Sequence, residues 1–382
     1  MSPISAEPEV RRSRLKKALY ALRVVAVNFL IFAVLAELAS IILVHLSNWP
    51  STRPNYHLSD NTFFADTNPV FGVWHRPNGH YFHKGGCYDV EYFTNSYGAR
   101  DKERSLHSTQ PRTIVLGDSM IEGLGLPATD RLSNVLERDT GREHLNFGTS
   151  GDFGPLQYAL LYQSMAAAFD HNVVMVGVLP DNDFHDMSYA YWKAHGKGGR
   201  YRPYYADDLS IFYAGHFDPN AGESAWDHTE AFLRAYLASY HVGQFIYTRF
   251  YWRTLHVYSG YNDYDDLDLT RLKKALQDIK STADSHGARV AVFLIPCARD
   301  FVRLRQTGSN RLGPIMEAWG RDVGIAIKDL LPEMNARAGA DWRPYFLPCD
   351  GHWSAAGNAV AASILEPWLR YGSAAAGSHP GQ

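Results

Sequence analysis

The stretch "RTIVLGDSMIEG", residues 112–123, decides how this chain folds. Three apolar residues, Ile114, Val115 and Leu116, stop abruptly at Gly117-Asp118-Ser119. A short apolar run that ends on a small polar turn is the pattern of a buried strand. Two readings compete for the turn. It is a plain connection, or Ser119 is a nucleophile held at the carboxyl edge of a sheet.

Outward from this point the pattern is regular. Strands are expected at 113–116, 143–147, 173–179, 289–295 and 325–327, and helices at 132–138, 155–168, 269–286, 313–323 and 355–370. Gly141 and Gly287 close helices, and Pro155 opens one at its first turn. The run at 173–179 is almost continuously apolar, as a parallel strand covered on both faces requires. Alternating strands and helices give an α/β domain with a doubly wound parallel sheet. An interruption at about 181–264 is rich in aromatics, among them Tyr189, Trp192, Tyr204, Phe212, Phe245 and Tyr247. It reads as a lid that stacks on sugar rings or touches lipid, or as the aromatic core of an inserted subdomain.

The amino terminus carries a second signal. Arg11, Arg12, Arg14, Lys16 and Lys17 precede an apolar run over 19–46. A helix of roughly 20 apolar residues crosses a bilayer, and this run exceeds the apolar core of a cleaved signal peptide. The cations lie before it, so the positive-inside rule places residues 1–18 in the cytoplasm and the rest outside. The expected layout is a basic tail (1–18), a transmembrane anchor (19–46), a linker and β-ribbon (47–111), a catalytic domain (112–371) with its insertion at about 184–265, and a tail (372–382). In the ribbon, Tyr88, Val90 and Tyr92 alternate with Asp89 and Glu91 after a Gly-Gly turn. Glu37 lies within the anchor, where a carboxylate usually needs a partner. That partner could be another membrane helix, or Glu37 snorkels to the surface or is protonated.

Composition excludes some classes. A hydrophobic content of 46% with 13% aromatics is that of a globular protein, and a net charge of −3 with no basic stripe beyond the first residues excludes a nucleic-acid partner. His75, His80, His83 and Cys87 fit no common zinc spacing, so neither a metal nor a cofactor is expected.

In open α/β sheets the site lies beyond the carboxyl ends of the strands. "GDS" (117–119) follows the first strand, "NFGTSGDFG" (146–154) the second and "PDNDFHD" (180–186) the third, and "CDGHWSAAG" (349–357) precedes the last helix. These four blocks, in this order, resemble those of the SGNH (GDSL) hydrolases over about residues 112–371. The upstream "FTNSYGARD" (93–101) is similar to the segment before the catalytic domain in membrane-anchored bacterial relatives. The resemblance implies the flavodoxin-like SGNH fold and a serine esterase. Ser119 would be the nucleophile and His352 its base, because a serine hydroxyl needs one. Asp350 would orient the imidazole. The Ser119 and Gly151 amides and the Asn182 side chain would form the oxyanion hole. The common last block spaces aspartate and histidine three apart. Here Cys349 holds that place and Asp350 stands two before His352, as in similar proteins of alginate acetylation. In an extended chain residues two apart share a face, which lets Asp350 reach His352, with Gly351 allowing a bend.

The substrate implied is an O-acyl ester, in the first place an O-acetyl ester, of an envelope glycan. Two rivals stand beside hydrolysis. One is an O-acyltransferase using the same site, served by a membrane acyl-donor partner to which Glu37 points. The other is a non-catalytic glycan-binding or assembly protein. Finally, Cys297 follows the fourth strand and Cys349 precedes Asp350, and the two segments are neighbours at the site edge. A Cys297–Cys349 disulfide is therefore expected on the oxidising side of the membrane, with two buried thiols, or pairing of either with Cys87, as the alternatives.

Overall fold

A computed structural model describes residues 7–46, 52–58, 63–65, 67–219, 225–252 and 258–375. The chain begins with α1 (Glu7–Leu46), followed by an antiparallel ribbon of β1 (His80–Lys84) and β2 (Asp89–Phe93). The sheet then starts at β3 (Arg112–Gly117), which runs into one helical turn, α2 (Ser119–Glu122). There follow α3 (Leu132–Thr140), β4 (Glu143–Gly148), α4 (Pro155–Ser164), β5 (Val173–Val178), α5 (Pro180–Asp186) and α6 (Tyr189–Ala194). The insertion continues with β6 (Arg202–Tyr205), β7 (Ile211–Ala214), α7 (Ala225–Tyr236) and α8 (Ala238–Trp252). The domain closes with α9 (Asp266–Ser285), β8 (Arg289–Leu294), α10 (Ala298–Thr307), α11 (Leu312–Val323), β9 (Ala326–Asp329), α12 (Leu331–Ala338) and α13 (Ala355–Ala375).

The main sheet is wholly parallel, in the order β4-β3-β5-β8-β9. Counted along the chain this is 2-1-3-4-5, the doubly wound order of flavodoxin-like folds. Its central strands are buried along their whole length, as their apolar sequences require. Right-handed crossovers fix the layers. The step from β3 to β4 goes one way and every later step the other, so α3 and α4 lie on opposite faces. α13 joins α3, and α9 joins α4. The reversal between β3 and β5 places the end of β3, and so Ser119, at the switch point.

α1 is long and apolar enough to cross a membrane over Arg14–Leu46. Most of it is exposed, but Ser40 and Val44 are buried and Ala36, Glu37 and Leu43 are half-buried. These residues recur at helical spacing and form one stripe, on the part of α1 that packs against α8. Glu37 accepts hydrogen bonds from the Ala238 amide at 2.7 Å and the Ser239 amide at 3.0 Å. The helix partner that Glu37 requires is thus this chain's own α8. Its carboxylate takes up unsatisfied donors at that helix's amino terminus.

The insertion divides in two. Its first half packs Trp192, Tyr204 and Ala214 into a small core of its own, joined by Tyr189, Tyr191 and Phe212. Its second half, α7 and α8, leaves Trp226, Phe232, Ile246 and Tyr247 exposed.

The expected Cys297–Cys349 bridge is not formed. Cys349 is bonded to Cys87, with Cα atoms 5.7 Å apart, and Cys297 is a buried free thiol. The expected neighbourhood holds, because the Trp353 indole beyond the catalytic loop reaches the Pro296 carbonyl at 3.3 Å. The expected side of the loop does not. Trp353 occupies the face toward β8, and Cys349 points the other way, to the ribbon. Loop-closure entropy over a separation of 262 residues gives this bridge an upper worth of about 5 kcal/mol. Non-reducing peptide mapping should recover a linked Cys87–Cys349 peptide, with Cys297 alkylated only after denaturation. Alkylation of Cys87 in the folded, unreduced chain would contradict the pairing.

Candidate active site

Ser119 owes its position to the absence of side chains beneath it. α2 must lie close on the sheet, and Ile121 is its contact. A Cβ on Gly117 would stand 2.2 Å from Ile121 Cγ1, on Gly148 2.9 Å from Ile121 Cβ, and on Gly177 2.7 Å from Ile121 Cδ1. Gly117 and Gly148 are paired in register on β3 and β4, and Gly177 follows Val176, the partner of Leu116, on β5. Three adjacent strands thus offer glycine at one level, and the turn settles into that floor. Asp118 caps α2, accepting from the Met120 amide at 2.9 Å, and Gly123 closes it with φ 77°.

His352 stands across the turn, its Nε2 2.8 Å from Ser119 Oγ. Its Nδ1 donates to Asp350 Oδ1, and its backbone amide meets the same oxygen at 3.0 Å. The segment is not extended but bends at Gly351. Gly351 takes φ 84°, and the Leu347 amide closes the loop on the His352 carbonyl at 2.7 Å. Asp350 reaches His352 as the first residue of an Asx-type turn, which suits a two-residue spacing. Burial disfavours the charged imidazolium, but the Asp350 hydrogen bond and charge outweigh it and raise His352 above its ordinary pKa. Burial likewise works against the Asp350 carboxylate, and His352 outweighs it, holding Asp350 below its usual range.

Asn182 donates to Asp118 Oδ2 at 3.2 Å. It is aimed there by its neighbour: Asp183 accepts from the Tyr158 hydroxyl at 2.7 Å and the Leu179 amide at 2.8 Å, which locks the start of α5. Burial lifts Asp118 to about 6 and Asp183 well above the usual carboxylate range. A cavity of about 350 Å³ opens here, walled by Ser119, Met120, Leu179, Asn182, Cys297 and His352, with an Asp181–Arg299 ion pair on its rim. Gly151 is not on this wall. It takes φ 103°, close to Val73 and Arg200. Ser119, Asn182, Asp350 and His352 are therefore brought together, and Gly151 stands behind them.

Several supports were not read from the sequence. Glu122, three residues after Ser119, is fully buried and accepts from the Ser150 amide at 2.7 Å and from the Ser150 hydroxyl. Its other oxygen lies 3.3 Å from His75 Nε2, which is also 3.1 Å from Thr149 Oγ1. Burial opposes the charge, but His75, Arg100 and Ser150 hold Glu122 at about 2. The glycine-rich loop before Gly151 is thereby tied to the helix that carries Ser119. Arg100 secures the exit of that helix, donating to the carbonyls of Glu122 at 2.8 Å and Gly123 at 2.9 Å. The available signal was a carboxylate one turn after the serine, on a helix pressed against a sheet.

The ribbon supports Asp350. The Tyr88 hydroxyl donates to Asp350 Oδ2 at 3.4 Å and lies 3.2 Å from His83 Nε2. His83 Nδ1 is 2.9 Å from the Tyr92 hydroxyl, which accepts from the Gly125 amide at 2.7 Å. One direction of donation satisfies every member, from Gly125 through Tyr92, His83 and Tyr88 to Asp350. It requires a neutral His83, and burial lowers His83 to about 4. The four residues weighed as a metal cluster are engaged separately: His75 with Glu122, His80 stacked on Phe93, His83 between two tyrosines, and Cys87 in the disulfide.

A 2-1-3-4-5 sheet that gathers a strand-end serine, an asparagine and a late histidine on its carboxyl edge, beside a glycine-rich loop, is the arrangement that the resemblance to the SGNH (GDSL) hydrolases implies. Among solved structures the chain is similar to TesA (13% identity over 68% of this chain and 98% of that one, TM-score 0.37). It is also similar to a lipase/acylhydrolase from Enterococcus faecalis (9% identity, 68% and 95%, TM-score 0.37). A third is a member of the lipolytic G-D-S-L family from Veillonella parvula (12% identity, 68% and 98%, TM-score 0.35). No protein-family model and no curated protein matches the sequence.

Tyr88→Phe tests the support of Asp350. A hydrogen bond to a charged group is worth about 1.5 kcal/mol, roughly tenfold, so ester turnover should fall about tenfold while the fold and the disulfide persist. Unchanged turnover would show that Asp350 is held by the disulfide alone.

Proposed function

We propose that the chain is an anchored serine esterase that removes O-acyl groups, in particular O-acetyl groups, from an envelope glycan on the outer side of the cytoplasmic membrane. The observation that carries this reading is the 2.8 Å contact of Ser119 Oγ with His352 Nε2, with Asp350 on the opposite ring nitrogen.

In this reading Ser119 Oγ attacks the ester carbonyl carbon and its proton passes to His352 Nε2. The carbonyl electrons move onto oxygen, which meets the Ser119 amide and the Asn182 side chain, both on the cavity wall. Such a donor is typically worth ~10²–10³ in turnover. Collapse breaks the bond to the alcohol oxygen, which takes the proton from the imidazolium. Water repeats the sequence on the acyl-enzyme and frees the acid. Asp350 remains ionised throughout and stabilises the imidazolium. No cofactor enters these steps.

The glycan reading rests on the membrane anchor, the aromatic insertion and the family resemblance. The basic flank before the anchor supports an outer location for the domain. Transfer to a sugar hydroxyl would use the same acyl-enzyme. The residue that hinted at an acyl-donor partner, Glu37, has both oxygens engaged by α8. Hydrolysis is therefore the reading advanced.

Ser119→Ala should reduce hydrolysis of an aryl acetate by at least ~10³-fold and abolish labelling by a fluorophosphonate, with folding unchanged. Labelling that survives the substitution would refute the nucleophile. The pH profile supplies a separate test. His352 acts as a base only when neutral, and Asp350 raises its pKa. Activity should therefore fall on the acid side from above the ordinary histidine value of about 6.5. In Asp350→Asn the residual activity should be lower by on the order of 10³–10⁴ and its acid limb should move to lower pH. A limb that does not move would remove Asp350 from its role.

A further inference from the structure

We propose that α7 is an interfacial helix, bedded in the outer headgroup layer of the bilayer that α1 crosses. The inference rests on the reading of α1 as a membrane anchor and adds a second, peripheral contact with the same lipid.

The pattern of α7 is amphipathic. Trp226, Thr229, Phe232, Leu233 and Tyr236 fall on one arc at helical spacing, and Asp227, His228, Glu230 and Arg234 fall on the other. A helix of a globular domain buries its apolar arc. Here Trp226 is 67% exposed and Phe232 50%, and Ile246 on the adjoining α8 is 44% exposed. Exposed aromatic and aliphatic side chains opposite a charged face are the composition of helices that lie in a membrane surface, where tryptophan is enriched.

Position identifies the occupant as lipid. The carboxyl end of α7 is bonded to the segment just after α1, the Tyr56 amide donating to the Ala235 carbonyl at 2.9 Å. The next helix starts on Glu37 itself. Fourteen residues separate Glu37 from Arg23, the last arginine or lysine of α1, a helical rise of ~21 Å within a hydrocarbon core of ~30 Å. With Arg23 at the inner surface, α8 starts within the outer leaflet, and α7 leaves from its surface. The polar arc of α7 then faces the domain and water, where Arg234 pairs with Glu230 at 2.8 Å.

A consequence follows for the site. Arg234, His241 and Phe245 share a cavity of about 320 Å³ with Tyr88, Cys349 and Asp350. Bedding α7 and α8 in the surface fixes that cavity, and the catalytic loop beside it, at the level of the headgroups.

The full-length chain in nanodiscs of phosphatidylethanolamine and phosphatidylglycerol provides the test, with hydroxyl-radical footprinting of unmodified tryptophans. By protein exposure alone Trp226 should react faster than Trp319, which is only half-buried under Lys273. The bilayer should reverse this order, with Trp226 several-fold slower. A Phe232→Cys chain carrying an environment-sensitive fluorophore should also be quenched by lipids brominated near the headgroup. Fast oxidation of Trp226 in chains that co-elute with nanodiscs would overturn the inference and leave the anchor standing. Chains that do not co-elute would overturn both. Protection of Trp226 without quenching at position 232 would mean that protein, not lipid, covers the arc, and would also overturn it.

Discussion

The close approach of Ile121 to the sheet is the constraint on which the site depends. A one-turn helix has too few internal hydrogen bonds to hold itself in place, so packing must position it. Gly117, Gly148 and Gly177 leave a recess on three adjacent strands, and Ile121 fills it. From this single contact follow the height of Ser119, the direction of Glu122 into the interior and the capping role of Asp118. Glu122 then carries the constraint outward. By binding the Ser150 amide and facing His75, it makes the glycine-rich loop part of the same rigid body. A buried charge removed from its partner typically costs about 3–5 kcal/mol, which favours the closed link.

The catalytic loop is held from the opposite side. Ser119 and Asn182 stand on the sheet, whereas Asp350 and His352 stand on a loop whose nearest firm support is the ribbon. Cys87 fixes that loop covalently, and Tyr88, the next residue, hydrogen bonds to Asp350. Aspartate three residues before a histidine can be oriented within a helical turn. Two residues before it, across a glycine with φ 84°, Asp350 needs an outside partner. The ribbon, which reads from sequence as an appendage, supplies it. This explains why segments far upstream of Ser119 contribute His75, His83, Tyr88 and Arg100 to the surroundings of the site.

What was legible in the sequence is what local physics writes there. Apolar runs gave the five strands of the sheet to within a residue or two, and glycine and proline gave several helix ends. The blocks after the strand ends gave the residues that converge on the cavity, because open sheets place sites at strand carboxyl ends. Two helices, Ala298–Thr307 and Leu331–Ala338, escaped notice because their sequences are largely charged or small and show only a narrow apolar stripe. The disulfide partner was not legible because sequence orders segments around a sheet but does not show which side of a loop a cysteine takes. From the sequence His75 is weighed only as a possible metal ligand, and Glu122 carries no signal of its own. Only the fold, by joining distant chain segments, makes them a buried pair.

Glu37 shows how far one long-range contact can redirect a reading. A carboxylate in a hydrophobic span suggests a second membrane protein, since a bare charge there is costly. Here the donors are two amides at the start of α8, which would otherwise be unsatisfied in the same low-dielectric surroundings. Each group removes the other's penalty, and the exchange works only if the insertion comes back to α1. α1 joins the insertion, and the insertion borders the cavity beside Asp350, so the loop that carries Asp350 and His352 is linked to α1 through the fold.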